Sequence, residues 1–510
     1  MRFQLLSLLI TAIFYFSNIN PISCQITYEE RIEFELKDGF DADFIIPQGK
    51  AGFLLITEDQ KSKGKETNWE YRFYNNQLKE EEVKRLSIDK KFSSFNSFQH
   101  QEASYTFFKN KKGEFEIIIS EKSDNSISRT KGSIPKKFEV GSFYVLNEFA
   151  YLSGKIKKSP ALIAINLNSG LSKIIPLNIG DFKPKDTKIV NFQVKPKSNE
   201  FILFMSGIDS RKESDMYMLI GEENRIKSKS LKRANKGSKN IISISDSKLN
   251  DQEYTITGTY GENSISTSKG IFFGKMDTKK VRFIHFTKFL DLKDFLSYLP
   301  EKKQDKIEKK RNKKKKKGKD VKLSYFISDH DVIKTEDGGF ILIGEAYYPT
   351  YRTEARTTYV NGQATTTYVT VFDGYQYTHA IVTKFSAEGE LIWDNSFKMY
   401  PLKKPFTVTQ FISVFGTSKG AINLAYSDSG SIHTKSISDT DGKVLSEKES
   451  EKINTGFEGD KTKSTNSDLN YWYDNYFIVY GFQTIKNKGD DKDKRGKRKV
   501  FFVSKVKFES

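Results

Sequence analysis

The chain contains 510 residues, and its 84 lysines and arginines outweigh 65 aspartates and glutamates to give a net charge of +19. One simple hydrophobic core rarely serves more than about 250 to 300 residues, so the length requires either two domains or one repetitive domain. A single cysteine, Cys24, excludes a fold that depends on disulfide bonds.

The N-terminal segment has the pattern of a signal peptide. Arg2 supplies a positive charge, residues 5–16 form an apolar stretch, and a cleavage site precedes Gln25. The apolar stretch is too short to cross a bilayer. We therefore predict a signal peptide over residues 1–24 and a mature chain over residues 25–510.

Cleavage at this point predicts export to the periplasm, the cell surface or the medium. It also leaves the mature chain without cysteine, which excludes thiol catalysis and cysteine zinc sites. Two alternatives stay open, because Cys24 can instead carry a lipid anchor or the segment can be retained in the membrane. No other segment of the sequence is long and apolar enough to cross a membrane.

Runs of strand-forming residues recur about every 50 residues along the chain. The runs begin at Ala51, Ala103, Phe149, Glu200, Glu253, Gly339, Gly420 and Asn475. Two longer intervals each contain an insertion, and four short strands bounded by Gly, Asn, Asp or Pro can be placed around most runs. Four strands per unit at this period are typical of a β-propeller blade.

The sixth unit carries the most distinctive motif. It combines a DGGF turn over Asp337–Phe340, a hairpin that begins with Lys384-Phe385, and a late Trp393. These residues resemble the blade repeat of bacterial secreted β-propellers, and the Lys/Asn/Phe-rich composition is similar to exported proteins of the Bacteroidetes. The resemblance covers about one blade, and it implies that ligands bind around the mouth of the central channel.

We therefore predict an all-β fold, an eight-bladed β-propeller over residues 25–510. One alternative is a propeller of seven blades, because the second unit is poorly delimited. The other alternative is a two-domain β-sandwich. The N-terminal strand, residues 26–36, is expected to become the outermost strand of the last blade. Such closure removes an open sheet edge.

The first insertion, over residues 291–320, is rich in lysine. From Glu301 to Asp320 it has 12 basic and 4 acidic residues, and Pro300 is placed to begin a basic helix. One interpretation is a contact with something anionic, and the other is a solvated charge run. The candidate binding residues are Lys313, Lys314, Lys315, Lys316 and Lys317.

The second insertion, over residues 349–376, is rich in tyrosine and threonine. An Asn-Gly turn at residues 361–362 predicts an extra β-hairpin on the sixth blade. Tyrosines on this hairpin suit contact with sugars or proteins, or they stabilise the sheet by cross-strand pairing. The candidates are Tyr351, Tyr359, Tyr368, Tyr375 and Tyr377. The connectivity of a blade places both insertions on one face.

Residues with catalytic or metal-binding patterns are scarce. The five histidines show no metal-ligand spacing. The best polar cluster is Asp329-His330-Asp331, interpreted either as a binding or acid–base group or as a polar strand end. We predict no metal and no cofactor, and no residue is assigned a catalytic role.

The favoured function is an exported, non-enzymatic binding scaffold with a basic face. Its expected partner is an anionic glycan, a lipid head group or an acidic protein. One alternative is a propeller hydrolase or lyase acting on polysaccharide, which needs two converging carboxylates. The other is charge-driven nucleic-acid binding, disfavoured by export and by the lack of aromatic residues within the lysine run.

Overall fold

The computed structural model describes residues 25–35, 40–59, 61–100, 103–208, 214–232, 239–250, 252–262, 264, 266–321, 323–360, 363–417, 420–487 and 496–509. The predicted signal peptide and the tip of the predicted hairpin, residues 361–362, lie outside these ranges. The described residues form 33 strands and one α-helix, α1 (Glu301–Lys315), so the predicted predominance of β-structure is confirmed. No helix among them has the length and apolar character needed to cross a membrane.

The chain divides into two compact units, and the larger, residues 37–410, contains six antiparallel sheets. In the first three, the strands are β2 (Phe40–Pro47), β3 (Phe53–Asp59), β4 (Glu66–Tyr74) and β5 (Glu80–Asp89); β6 (Ser93–His100), β7 (Ala103–Lys109), β8 (Glu114–Glu121) and β9 (Ile127–Ser133); and β10 (Phe138–Leu146), β11 (Phe149–Ile156), β12 (Ser159–Asn166) and β13 (Ser172–Ile175).

The next three sheets of this unit follow in chain order. They are β14 (Thr187–Lys195), β15 (Glu200–Ile208), β16 (Ser214–Glu222) and β17 (Arg225–Lys232); β18 (Lys239–Lys248), β19 (Glu253–Glu262), β20 (Gly270–Asp277) and β21 (Val281–Lys288); and β22 (Phe326–Asp329), β24 (Phe340–Val360), β25 (Gln363–Phe385) and β26 (Leu391–Lys398), with β23 (Ile333–Lys334) paired to β24. Short 3-10 helices lie at Gly49–Ala51, Pro184–Asp186, Pro196–Ser198 and Phe289–Asp291.

The second unit contains two sheets. The seventh sheet has β27 (Ser413–Thr417), β28 (Ala421–Asp428), β29 (Ser431–Ser438) and β30 (Val444–Lys452). The eighth has β31 (Asp460–Tyr473), β32 (Tyr476–Asn487), β33 (Gly496–Glu509) and the N-terminal strand β1 (Gln25–Glu35). Strand β1 lies beside β33, with Ile26 opposite Phe508 and Glu35 opposite Val500, so the expected pairing of the N-terminal strand is present.

Burial follows strand position within each sheet. Residues 201–207 of β15 are all buried, whereas the outer strand β9 is polar and largely exposed. A strand buried on both faces reads as a continuous apolar run. Within each unit, apolar clusters join consecutive sheets, and Phe107 of β7 packs against Phe143 of β10 in this way.

The DGGF turn is built around a side chain. The Asp337 carboxylate accepts hydrogen bonds from the Thr335 hydroxyl at 2.6 Å and from the Gly339 amide at 3.1 Å. Gly338 has φ of +82°, which glycine adopts without a steric penalty. Lys384, whose side chain is only 2% exposed, completes the turn by donating to the other Asp337 oxygen at 2.6 Å.

Candidate functional site

A basic cavity of about 150 Å³ lies where the lysine insertion meets the fifth sheet. Five cations line it, together with two aspartates and several apolar groups. The cations are Lys269, Lys288, Arg311, Lys315 and Lys319. The cavity therefore gathers positive charge from the start of β20, the end of β21, the last part of α1 and the segment that follows α1.

Ion pairs neutralise only part of this charge. Asp320 pairs with Lys288 at 2.5 Å and lies 3.6 Å from Lys269, while Arg311 donates to Asp291 at 2.6 Å. The hydrogen bond from Lys288 lowers the pKa of Asp320, so this carboxylate stays ionised. Within the described residues, Lys315 and Lys319 make no ion pair, which leaves two exposed ammonium groups at the cavity.

Helix α1 is held on the protein by few contacts. Glu301 lies in its first turn and lysines in its last, as the helix dipole favours. Ile307, its only aliphatic side chain, packs against the apolar cluster of the fifth and sixth sheets. Gln304 donates to the Leu299 carbonyl at 2.7 Å, and Arg311 is fixed by Asp291. All lysines of α1 except Lys314 are exposed.

A second depression, the tyrosine cleft, has a volume of about 550 Å³. Its aromatic wall consists of Tyr298, Tyr325, Phe326, Tyr347, Tyr348 and Tyr400. The lysine insertion supplies Tyr298 and Lys303, and the base of the tyrosine hairpin supplies Tyr347 and Tyr348. The two insertions thus meet at this cleft.

The floor of the tyrosine cleft is rigidly supported. The hydroxyl groups of Tyr298 and Tyr325 are hydrogen-bonded at 3.0 Å. Behind Tyr298, the fully buried His379 ring is enclosed by edge-on contacts with Phe295 and Tyr325. Burial lowers the pKa of His379 to about 3, so the imidazole is neutral at physiological pH. A neutral ring can stack on Tyr298 without the cost of burying a charge.

A third cavity, the carboxylate cavity, encloses about 640 Å³. It is lined by the first strands of the second to sixth sheets, which lie side by side, and by Gln410. Its polar groups include Lys195, Asp246, Asp329 and Asp331. Phe98 and Tyr144 form an aromatic side of the cavity.

The charges of the carboxylate cavity are coupled. Lys195 pairs with the buried Asp246 at 3.0 Å and donates to Gln193 at 2.7 Å, and Gln193 donates to Asp331 at 3.1 Å. Burial raises the pKa of Asp246, although Lys195 opposes the change. Burial also raises the pKa of Asp329 to about 7, against the hydrogen bond from Ser243. Asp329 therefore holds a proton near neutral pH.

The structure separates the residues of the predicted Asp-His-Asp cluster. Asp329 and Asp331 line the carboxylate cavity. His330 turns away from it, and its Nε2 lies 2.7 Å from the buried Glu345 carboxylate. Among the described residues, no group of three or more acidic, histidine or cysteine side chains is arranged to hold a metal ion.

The predicted tyrosines are divided among different surroundings. Tyr351 and Tyr368 are exposed on the projecting hairpin. Tyr375 packs edge-on against Tyr347, and Tyr377 is buried and donates to the Thr409 carbonyl at 2.5 Å. The side chain of Tyr359 lies outside the described residues.

The predicted binding lysines coincide only in part with the lysines that line the basic cavity. Of the predicted run Lys313, Lys314, Lys315, Lys316 and Lys317, only Lys315 lines the basic cavity. Lys314 instead approaches the Asp320 carbonyl at 3.4 Å. Sequence reasoning missed Lys269 and Lys288, because no local signal shows that the C-terminal part of the insertion folds back onto these two lysines.

Comparison with known proteins gives similarity of structure alone. No protein-family model and no curated protein matches the chain. The dihydro-heme d1 dehydrogenase NirN in complex with DHE is similar over 93% of this chain and 78% of its own, at 7% identity and a TM-score of 0.43. The C-terminal WD40 domain of Sif2 is similar over 94% of this chain and 99% of its own, at 8% identity and a TM-score of 0.38.

A prolyl oligopeptidase B from Galerina marginata is similar over 87% of this chain, at 8% identity and a TM-score of 0.38. The similarity spans only 56% of the oligopeptidase chain. At identities and TM-scores this low, these structures assign neither an activity nor a ligand to the protein.

Proposed function

We propose that the protein is an exported β-propeller that binds an anionic macromolecule through its basic surface. The eight sheets are its blades, and β1 closes the ring as the outer strand of the last one. The four-strand meander of the sheets, the face-to-face packing of consecutive sheets and the pairing of β1 with β33 support this architecture.

The basic cavity is the observation that carries the binding function. Lys288 ends β21 of the fifth sheet and Lys269 directly precedes β20, whereas Arg311, Lys315 and Lys319 come from the insertion. A folded site in which separate elements bring like charges together is more than a solvated charge run, because close cations repel one another unless an anion offsets them. Lys315 and Lys319, which make no ion pair in the described part of the chain, are placed to receive that anion.

The test removes the charges of Lys315 and Lys319 and compares the effect with that of removing two lysine charges elsewhere on the surface. The mature chain, the Lys315→Gln/Lys319→Gln variant and the control Lys111→Gln/Lys112→Gln are passed over immobilised heparin, immobilised polyglutamate and phosphatidylglycerol vesicles. Lys111 and Lys112 are exposed in the turn between β7 and β8. The proposal expects retention on at least one surface, with only the first variant eluting at lower salt. Absence of retention on all three, or equal elution of the two variants, would overturn it.

A second candidate function is polysaccharide hydrolysis in the carboxylate cavity. Glycoside hydrolysis uses one protonated and one ionised carboxyl group. Asp329, with its raised pKa, suits the acid, and Asp331 lies in the same cavity. The check is release of reducing ends from a panel of neutral and anionic polysaccharides. Activity lost in both Asp329→Asn and Asp331→Asn would support hydrolysis, and an inactive wild-type chain would exclude it for that panel.

A further inference from the structure

We infer that the tyrosine cleft is a sugar-binding subsite and that the anionic partner is a polysaccharide bearing carboxylate or sulfate groups. The inference rests on the proposed binding function and specifies its ligand class. It is drawn from the shape, the ring exposure and the charge of the cleft.

The exposed rings of the cleft suit a pyranose. Tyr348 and Tyr400 are 43% and 61% exposed, and both line the cleft. A pyranose ring has an apolar face made of C–H groups and carries hydroxyl groups around its edge. A tyrosine presents an apolar face with a polar tip, so it can stack on the first and hydrogen-bond the second.

The cleft is organised before any ligand enters. Tyr298 is fixed by its hydroxyl contact with Tyr325 and by stacking on the buried His379. Tyr347 packs against Phe326 and Tyr375, with ring centroids 5.7 and 5.2 Å apart. Side chains already held in place lose little conformational freedom on binding, which favours affinity.

The charge of the cleft selects an acidic sugar over a neutral one. Lys303 and Lys398 lie at its rim, both are exposed, and neither makes an ion pair within the described part of the chain. The described lining contains no aspartate or glutamate. A carboxylate or sulfate group on a stacked sugar would therefore meet two cations and no opposing charge.

The two basic sites are spaced for a polymer. Lys303 of the tyrosine cleft and Arg311 of the basic cavity both belong to α1, eight residues apart. At about 1.5 Å rise per residue, this corresponds to about 12 Å along the helix. One polysaccharide chain lying along α1 would engage the tyrosine cleft with its sugars and the basic cavity with its charges.

The test compares three soluble probes in direct binding titrations: an oligoalginate, which carries carboxylates on pyranose rings, a neutral maltooligosaccharide, and polyglutamate. The variant is Tyr348→Ala/Tyr400→Ala. The matched control is Tyr351→Ala/Tyr368→Ala, which removes two exposed tyrosines from the hairpin outside the cleft. Tyr348→Phe keeps the ring, and thermal unfolding checks that each variant is folded.

The inference expects oligoalginate to bind more tightly than the other two probes. Tyr348→Ala/Tyr400→Ala should weaken oligoalginate binding by about tenfold or more and leave its salt dependence unchanged. Tyr348→Phe and the hairpin control Tyr351→Ala/Tyr368→Ala should retain oligoalginate binding. Lys315→Gln/Lys319→Gln should instead reduce the salt dependence.

Two results would overturn the inference and leave the proposed function standing. One is oligoalginate binding that depends on Lys315 and Lys319 but not on the tyrosines. The other is tighter binding of polyglutamate, which would make the partner an acidic protein. If none of the charged probes and none of the immobilised surfaces is bound, the proposed function fails as well.

Discussion

The ring of His379 stacks on the ring of Tyr298, with centroids 3.8 Å apart and planes 7° from parallel. His379 belongs to β25, and Tyr298 belongs to the lysine insertion, so this contact fastens the insertion to the sixth sheet. The Thr378 hydroxyl donates to the Ala346 carbonyl and lies 2.9 Å from Nδ1 of His379. Nε2 is buried and has no hydrogen-bond partner among the described residues.

The first prediction concerns acid stability through His379. Its pKa is about 3 when folded and 6.5 for the ordinary side chain, so between these values the unfolded chain binds the extra proton. Its contribution to stability is complete above pH 6.5 and is lost as the pH falls, by about 2 kcal/mol at pH 5. His379→Phe keeps the stacked ring and should flatten the loss of thermal stability between pH 6.5 and 4. An unchanged pH profile would contradict this role.

The second prediction concerns Asp329, for which stability changes with pH in the opposite direction. Its pKa is about 7 when folded and 3.8 for the ordinary side chain, so between these values the folded chain binds the extra proton. Stability is therefore lost as the pH rises, by about 2 to 3 kcal/mol between pH 5 and 8. Asp329→Asn, measured by urea unfolding, should be relatively more stable than wild type at pH 8 than at pH 5. If the free energies of unfolding of the variant and of wild type differ by the same amount at pH 5 and at pH 8, the prediction is contradicted.

The third prediction concerns the DGGF turn. Asp337→Asn keeps acceptors for Thr335 and Gly339 but removes the charge opposite the buried Lys384. Because the Asp337 side chain is 57% exposed, solvent screens the pair, and we expect a loss of about 1 kcal/mol in thermal unfolding. The control is Asp441→Asn, which removes a similarly exposed turn carboxylate from Lys443, whose side chain is 81% exposed. An equal effect of the two changes would show that the burial of Lys384 is irrelevant.

The fourth prediction concerns the attachment of the N-terminal strand. Arg498 bridges Glu33 of β1 at 3.1 Å and Asp460 of β31 at 2.6 Å, and the Asp460 side chain is fully buried. Arg498→Met leaves a buried carboxylate without its cation, so we expect a loss of about 3 kcal/mol or more in urea unfolding. Arg282→Met, which removes a half-exposed arginine from Glu253, should cost far less. Similar losses would show that the bridge does not hold β1.

Several elements follow from the sequence because their signals are local. Alternating and continuous apolar runs mark strands such as β15, Pro300 marks the start of α1, and the Asn-Gly pair predicts the hairpin that β24 and β25 form. The N-terminal strand also follows, because β31, β32 and β33 leave a place for a fourth strand. Each of these predictions needs only the backbone preferences and burial of neighbouring residues.

The sites depend on contacts that no local pattern encodes. Lys269 approaches Asp320 because the insertion folds back on the fifth sheet, and Tyr348 of β24 lines one cleft with Tyr400, which follows β26. The carboxylate cavity arises because five first strands lie side by side, which buries Asp329 and raises its pKa.

The sequence by itself determined the strands, the helix and the excess of positive charge, since these depend on residue type and spacing. The tertiary structure decided which lysines, tyrosines and aspartates share a cavity. The physical reason is that sheets bury their faces against their neighbours. That packing brings together side chains far apart in the sequence, such as Gln193 and Asp331, 138 residues apart, or Asp329 and Gln410, 81 residues apart, whose proximity no periodic signal records.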